Sequence, residues 1–77
     1  MVPHLIYHTA FKMDDGTDPD LTVGNEYELN CAFKDGEVLA YQILDDTSMI
    51  HTFHDDEEWF SKHFRVVGGI ECVLEEI

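Results

Sequence analysis

One short stretch constrains the fold of this chain more than any other. From Glu26 the residues alternate without a break: Tyr27, Leu29, Cys31 and Phe33 point one way, and Glu26, Glu28 and Asn30 point the other. Period two with one apolar side is the mark of a half-buried antiparallel strand. Lys34-Asp35-Gly36 follows, and Asp-Gly tolerates the positive φ of a tight hairpin turn. The return strand runs from Glu37 to about Leu44, with Leu39, Tyr41 and Ile43 as its inward residues.

The rest of the chain repeats this pattern in shorter pieces. Leu5 to Phe11 sets Leu5, Tyr7, Thr9 and Phe11 against Ile6, His8 and Ala10. An acidic loop, Asp14-Asp15-Gly16-Thr17-Asp18-Pro19-Asp20, is rich in turn formers. Asp45-Asp46-Thr47-Ser48 makes another turn, and Met49 to Phe53 a shorter strand that ends in Asp55-Asp56-Glu57-Glu58. Helical spacing occurs only at Trp59, Phe60, His63 and Phe64, which predicts one short helical turn near residues 57–63. Arg65-Val66-Val67 reads as a closing strand. Gly68-Gly69 breaks it, and Ile70 to Leu74 offers one more strand before the acidic tail Glu75-Glu76. Five to six short strands, tight turns and one helical turn predict a mostly β chain: a single domain, 1–77, built as a small antiparallel barrel. Closure would also hide the edge strands.

Several of these segments together resemble a known family. Leu21-Thr22-Val23-Gly24-Asn25-Glu26-Tyr27-Glu28-Leu29, then the hairpin, then Tyr41-Gln42-Ile43-Leu44-Asp45-Asp46, then Trp59-Phe60-Ser61-Lys62-His63-Phe64-Arg65-Val66-Val67, is similar to the small SH3-like β-barrel proteins common in phages. Their pattern is roughly L-T-x-G-K-x-Y-x-V, a turn, Y-x-I-x-D-D-x-G, and F-x-x-x-x-F-x-x-V. The match covers about Leu21 to Val67. Asn25 stands where a basic residue is usual, Thr47-Ser48 follows Asp45-Asp46 where glycine is usual, and the chain continues ten residues beyond Val67. The resemblance implies an SH3-like barrel and a phage-type protein at work in the host bacterial cytoplasm. Small acidic phage proteins often neutralise host nucleic-acid-binding enzymes, so it also implies a basic host protein as partner.

Charge decides which partners are admissible. The 77 residues carry 17 Asp and Glu against 4 Lys and Arg, a formal charge of −13. With 44% hydrophobic and 12% aromatic residues, this is a folded domain with an acidic shell rather than a disordered acidic chain. Such an imbalance lowers stability by self-repulsion and speeds capture of basic partners. Direct nucleic-acid binding is set aside, because Lys12, Lys34, Lys62 and Arg65 are the whole basic inventory. Membrane association is not expected either. Met1-Val2-Pro3-His4 lacks the positive region of a signal peptide, no apolar run approaches spanning length, and anionic lipids repel this surface. Cys31 and Cys72 lie in apolar stretches and read as reduced core residues of a cytosolic protein.

The candidate partner-binding residues are therefore acidic: Asp14, Asp15, Asp18 and Asp20 in one loop, Asp45 and Asp46 in a second, and Asp55, Asp56, Glu57 and Glu58 in a third. Neighbouring carboxylates in extended chain are spaced like phosphates along nucleic acid, so loops gathered on one rim would mimic its backbone. Trp59, directly after four acids, is the candidate anchor, since Trp is favoured at interface hot spots.

Other chemistries find little support in the residues. A calcium loop counted from Asp14 places Pro19 and Asn25 where glycine and glutamate are needed. Zinc needs three or four converging ligands, yet of the five histidines His4, His8, His51, His54 and His63, His51 and His54 fall on opposite strand faces. No nucleophile–base motif joins either cysteine to a histidine, so no catalytic residue and no cofactor are expected. Mild acidification would charge the histidines and weaken a cationic partner's binding. The alternative is a small interaction or structural module, a homodimer paired through Ile70–Leu74, whose acidity serves solubility.

Overall fold

The alternating stretch around Tyr27 becomes the central strand of the sheet. The computed structural model describes residues 2–56, 58–71 and 73–75. Its elements are β1 (His4–Tyr7), β2 (Glu26–Asp35), β3 (Val38–Leu44), β4 (Ile50–His54), α1 (Trp59–His63), β5 (Phe64–Val67) and β6 (Leu74–Glu75). The strands lie in the order β4-β3-β2-β1-β5, with β6 added to β2. Every pairing is antiparallel except that of β2 with β6. The architecture is a small, mostly β sheet of six strands with one short helix.

β2 serves both halves of the sheet because it is bulged. Its first part pairs with β1 through Leu5↔Tyr27, and its second with β3 through Ala32↔Tyr41. Between Leu29 and Cys31 the register shifts. A bulge adds one residue and so reverses which side chains face the core. The uninterrupted alternation predicts Cys31 and Phe33 inward with Tyr27 and Leu29. Beyond the bulge Ala32 is the buried residue instead, and Cys31 and Phe33 are half-buried. The bend this produces lets one strand border two differently directed groups of neighbours.

The core gathers Leu5, Tyr7, Tyr27, Leu29, Ala32, Tyr41, Ile43, Phe53, Phe60 and Phe64. In a chain this short, aromatic side chains supply most of the buried area available per residue. Three of them are tyrosines, and each turns its hydroxyl to a loop. The Tyr7 hydroxyl accepts the Phe11 N–H at 3.0 Å. Tyr27 accepts the Thr22 N–H at 2.7 Å and donates to Asp46 at 2.9 Å. Tyr41 donates to Asp55 at 3.1 Å. A buried phenol needs a partner for its hydroxyl, and here that need ties the loops to the core.

Element ends depart modestly from expectation. β1 stops at Tyr7 rather than Phe11, because the chain it pairs with is α1 up to His63, whose carbonyl takes both the His8 and the Thr9 N–H. The expected strand Ile70–Leu74 is mostly a turn, with the Val73 and Leu74 N–H groups bonding Ile70, so only Leu74–Glu75 pairs. That pairing is with β2 of the same chain, which takes one edge of the segment expected to form a dimer. Cys72, Glu76 and Ile77 lie outside the described residues, as does Glu57 of the third acidic segment.

Candidate functional site

The three acidic segments meet different fates, and hydrogen bonding separates them. At the β3–β4 turn, Asp45 is buried, its side chain only 1% exposed. Its carboxylate accepts the Thr47 hydroxyl at 2.6 Å, the Thr47 N–H at 2.8 Å, the Met49 N–H at 2.9 Å and His51 Nε2 at 2.7 Å. The Thr47 hydroxyl above all, then the two N–H groups and His51, hold this carboxyl well below the ordinary range against the opposing effect of desolvation. Asp46 bonds the Tyr27 and Thr22 hydroxyls, and its N–H bonds the Asp20 carbonyl at 2.9 Å. Asp45 was expected at a binding face. It is a buried scaffold group instead, because its oxygens are occupied within its own turn, and Asp46 is tied to the core through Tyr27.

The long connection from residue 8 to 25 builds a different kind of place. It is fastened to α1 by the two N–H bonds to the His63 carbonyl, and by His63 Nδ1 donating to the Thr9 carbonyl at 2.8 Å. The fastening lays Phe11 against Trp59, with ring centroids 5.0 Å apart in an edge-on arrangement. Phe53 from β4 lies behind, 6.3 Å from Trp59 and nearly parallel to it. Phe11, Lys12, Met13, Asp14, Asp15, Phe53 and Trp59 line an open groove of about 490 Å³. Trp59 is 40% exposed and Met13 37%.

Acidic side chains around this groove keep their charge available. Asp14 and Asp15 are exposed; Asp15 accepts the Thr17 N–H and hydroxyl, which lower its pKa and fix its direction. Lys12 is held by Asp18 at 2.6 Å, so the one cation of the lining is already paired. Asp55, Asp56 and Glu58, all exposed, run from the end of β4 to α1, with Asp55 steered by Tyr41 and Glu58 3.9 Å from Lys62. The structure thus brings Asp14, Asp15 and Trp59 together, places Asp20 against Asp46 on the main chain, and leaves Asp18 engaged with Lys12.

Phe11, Met13 and Phe53 were not among the expected site residues. Phe11 and Phe53 carried a signal, since both close a strand-like alternation just before an acidic loop, but only the fold brings them to Trp59. Cys31, expected in the core, is half-buried and donates to Gln42 at 3.0 Å; burial first, then the Glu75 charge, raises its thiol pKa. Among the described residues no group of three His, Cys, Asp or Glu is placed to hold a metal ion, and no helix is long and apolar enough to cross a membrane. No protein-family model, no curated protein and no solved structure matches this chain.

Proposed function

We propose that this chain is an SH3-like barrel of the small phage type that binds and inhibits a basic host protein, working in the bacterial cytoplasm. The observation that carries this is the groove: an exposed Trp59 on an aromatic floor, rimmed by Asp14 and Asp15, in a chain of charge −13. Acidic rims steer a basic partner and set its register, while a half-exposed tryptophan supplies short-range energy. The mostly antiparallel six-stranded sheet and the single helical turn before β5 are what support a small-barrel reading. The Lys and Arg that meet nucleic-acid phosphates would also draw this much negative charge, so occupying such a surface blocks nucleic-acid binding.

Capture from a bacterial lysate tests this, with the immobilised protein eluted along a salt gradient. One stoichiometric nucleic-acid-handling protein, released at moderate salt and absent when Asp14→Asn, Asp15→Asn and Trp59→Ala are combined, is the expected result. The same diffuse set of basic proteins on both columns would reduce the charge to a coat and remove the proposal.

A further inference from the structure

β4 is an end strand of the sheet, and its register shows which of its main-chain groups are unused. The Asp45 N–H bonds Met49 and the Asp55 N–H bonds Leu39, so the bonded pairs are 45/49, 43/51, 41/53 and 39/55. In an antiparallel ladder the alternate residues point their N–H and C=O groups away from the partner. On β4 these are Ile50, Thr52 and His54, and the His54 carbonyl is used by the Asp56 N–H. Among the described residues nothing bonds the outward main-chain groups of Ile50 and Thr52, which offer a short row of donors and acceptors at an exposed edge. The other end strand offers less: on β5 the Phe64 N–H is capped by the Phe60 carbonyl.

The surroundings of this edge are those of a docking strand. Ile50 is 60% exposed and stands opposite Leu44, 46% exposed, with Met49 beside them in the turn. Phe53, on the opposite, buried face of the strand, is a floor residue of the groove under Trp59. Asp55 and Asp56 lie at the strand's end. No Asp or Glu occurs within Ile50–His54 itself, so the edge is apolar at its start, at Ile50, polar at Thr52 and His54, and acidic just past its end.

We infer that β4 takes up an extended, lysine- or arginine-bearing segment of the partner as an added strand. The inference rests on the reading that the chain binds a basic protein, and it assigns the mode. Main-chain bonds to Ile50 and Thr52 give the segment its register, Leu44 and Ile50 cover its apolar residues, and Asp55 and Asp56 meet its cations. A second copy of this chain is the poorer occupant, because each copy brings a charge of −13 to the contact.

The probe is an acetylated, amidated octapeptide of alternating lysine and valine, titrated against the whole protein. Trp59, the sole tryptophan, reports binding by fluorescence. Thr52→Pro removes an outward N–H and no bond of the ladder to β3, a place where an edge strand accepts proline. The expected result is about tenfold weaker binding or worse for Thr52→Pro, with wild-type affinity for Thr52→Val and unchanged circular dichroism for both. Should Thr52→Pro not fold, amide exchange on the wild type decides, since an added strand slows exchange at Ile50 and Thr52 and any other mode leaves it as it was. Equal affinity of a folded Thr52→Pro and the wild type would overturn strand addition and leave the basic-partner reading standing. No binding by the wild type would also overturn strand addition, and the capture experiment would then decide the basic-partner reading separately. Self-association that strengthens with salt and is lost in Thr52→Pro would put a second copy on this edge and overturn the basic occupant.

Discussion

The Asp45–Asp46 turn and the Asp14–Asp15 loop read alike, two adjacent aspartates in a turn-forming context, and the fold uses them in opposite ways. At the turn, the Asp45 side chain is 1% exposed and accepts four hydrogen bonds. At the loop, both carboxylates are exposed beside an open aromatic groove. Acidity alone therefore says nothing about which carboxylates meet a partner. What separates the two regions is the number of donors supplied locally, by Thr47, Met49 and His51 in one case and chiefly by Thr17 in the other.

Removing the Asp45 carboxylate breaks this contrast hardest. Asp45→Ala leaves two N–H groups, a hydroxyl and His51 without their acceptor. The melting midpoint should fall by about 10 °C or more on the scale of a domain this size, read by thermal circular dichroism. The same group sets an acid limit. Its pKa is depressed in the folded state, so its contribution is present above the ordinary aspartate value of about 4 and is lost as pH falls below it. Asp45→Asn should flatten that part of an acid-denaturation profile.

At the loop the same chemistry should leave stability alone and change binding. Asp14→Asn with Asp15→Asn keeps an acceptor for Thr17 and removes two charges from the groove rim. Affinity for the captured partner should drop by about tenfold at low salt and by less at high salt, with an unchanged or slightly higher melting midpoint. A large loss of stability in this pair would mean that the loop, too, is scaffold.

Tyr41 extends the comparison to the Asp55 segment. Burial first, then the Asp55 charge and hydrogen bond, pushes the phenol up to about 12. Below about pH 10 it is protonated in both folded and unfolded chains and has no effect on pH dependence. From there upward the unfolded chain releases its proton first, so stability falls until about pH 12. Tyr41→Phe should remove much of this alkaline loss, measured as the melting midpoint between pH 9 and 11. The smallest effect belongs to Ser48, which holds a φ of 67° in the same turn as Asp45. Glycine adopts that conformation without strain but is freer when unfolded. Ser48→Gly should therefore stabilise by only about 0.5–1 kcal/mol, visible in urea denaturation.

Much of the fold was legible because period two sets the inward residues of β1, of β2 before its bulge, and of much of β3. The inward residues Leu5, Tyr7, Tyr27, Leu29, Tyr41 and Ile43 follow it directly. Phe33 does not, because a bulge leaves no mark in an alternation that continues past it on both sides. The helical turn at Trp59–His63 was visible from the spacing of its apolar residues. The groove was half legible. Trp59 and the acidic loop stood out by type, but Phe11 reaches them through the bonds that join His8 and Thr9 to His63, and Phe53 through the pairing of β4 with β3, which no local pattern encodes. Nor does sequence distinguish Asp45 from Asp14, since the donors that bury one of them are assembled only when the hairpin closes.

Competition with DNA tests the central claim most directly. The partner recovered by capture is titrated with this protein, alone and with increasing duplex DNA, while Trp59 fluorescence reports the complex. Occupation of a nucleic-acid-facing surface requires that DNA displace the protein completely, with an apparent affinity that weakens in proportion to the DNA added. A partner that holds DNA and this protein at once, with neither affinity changed, would contradict it.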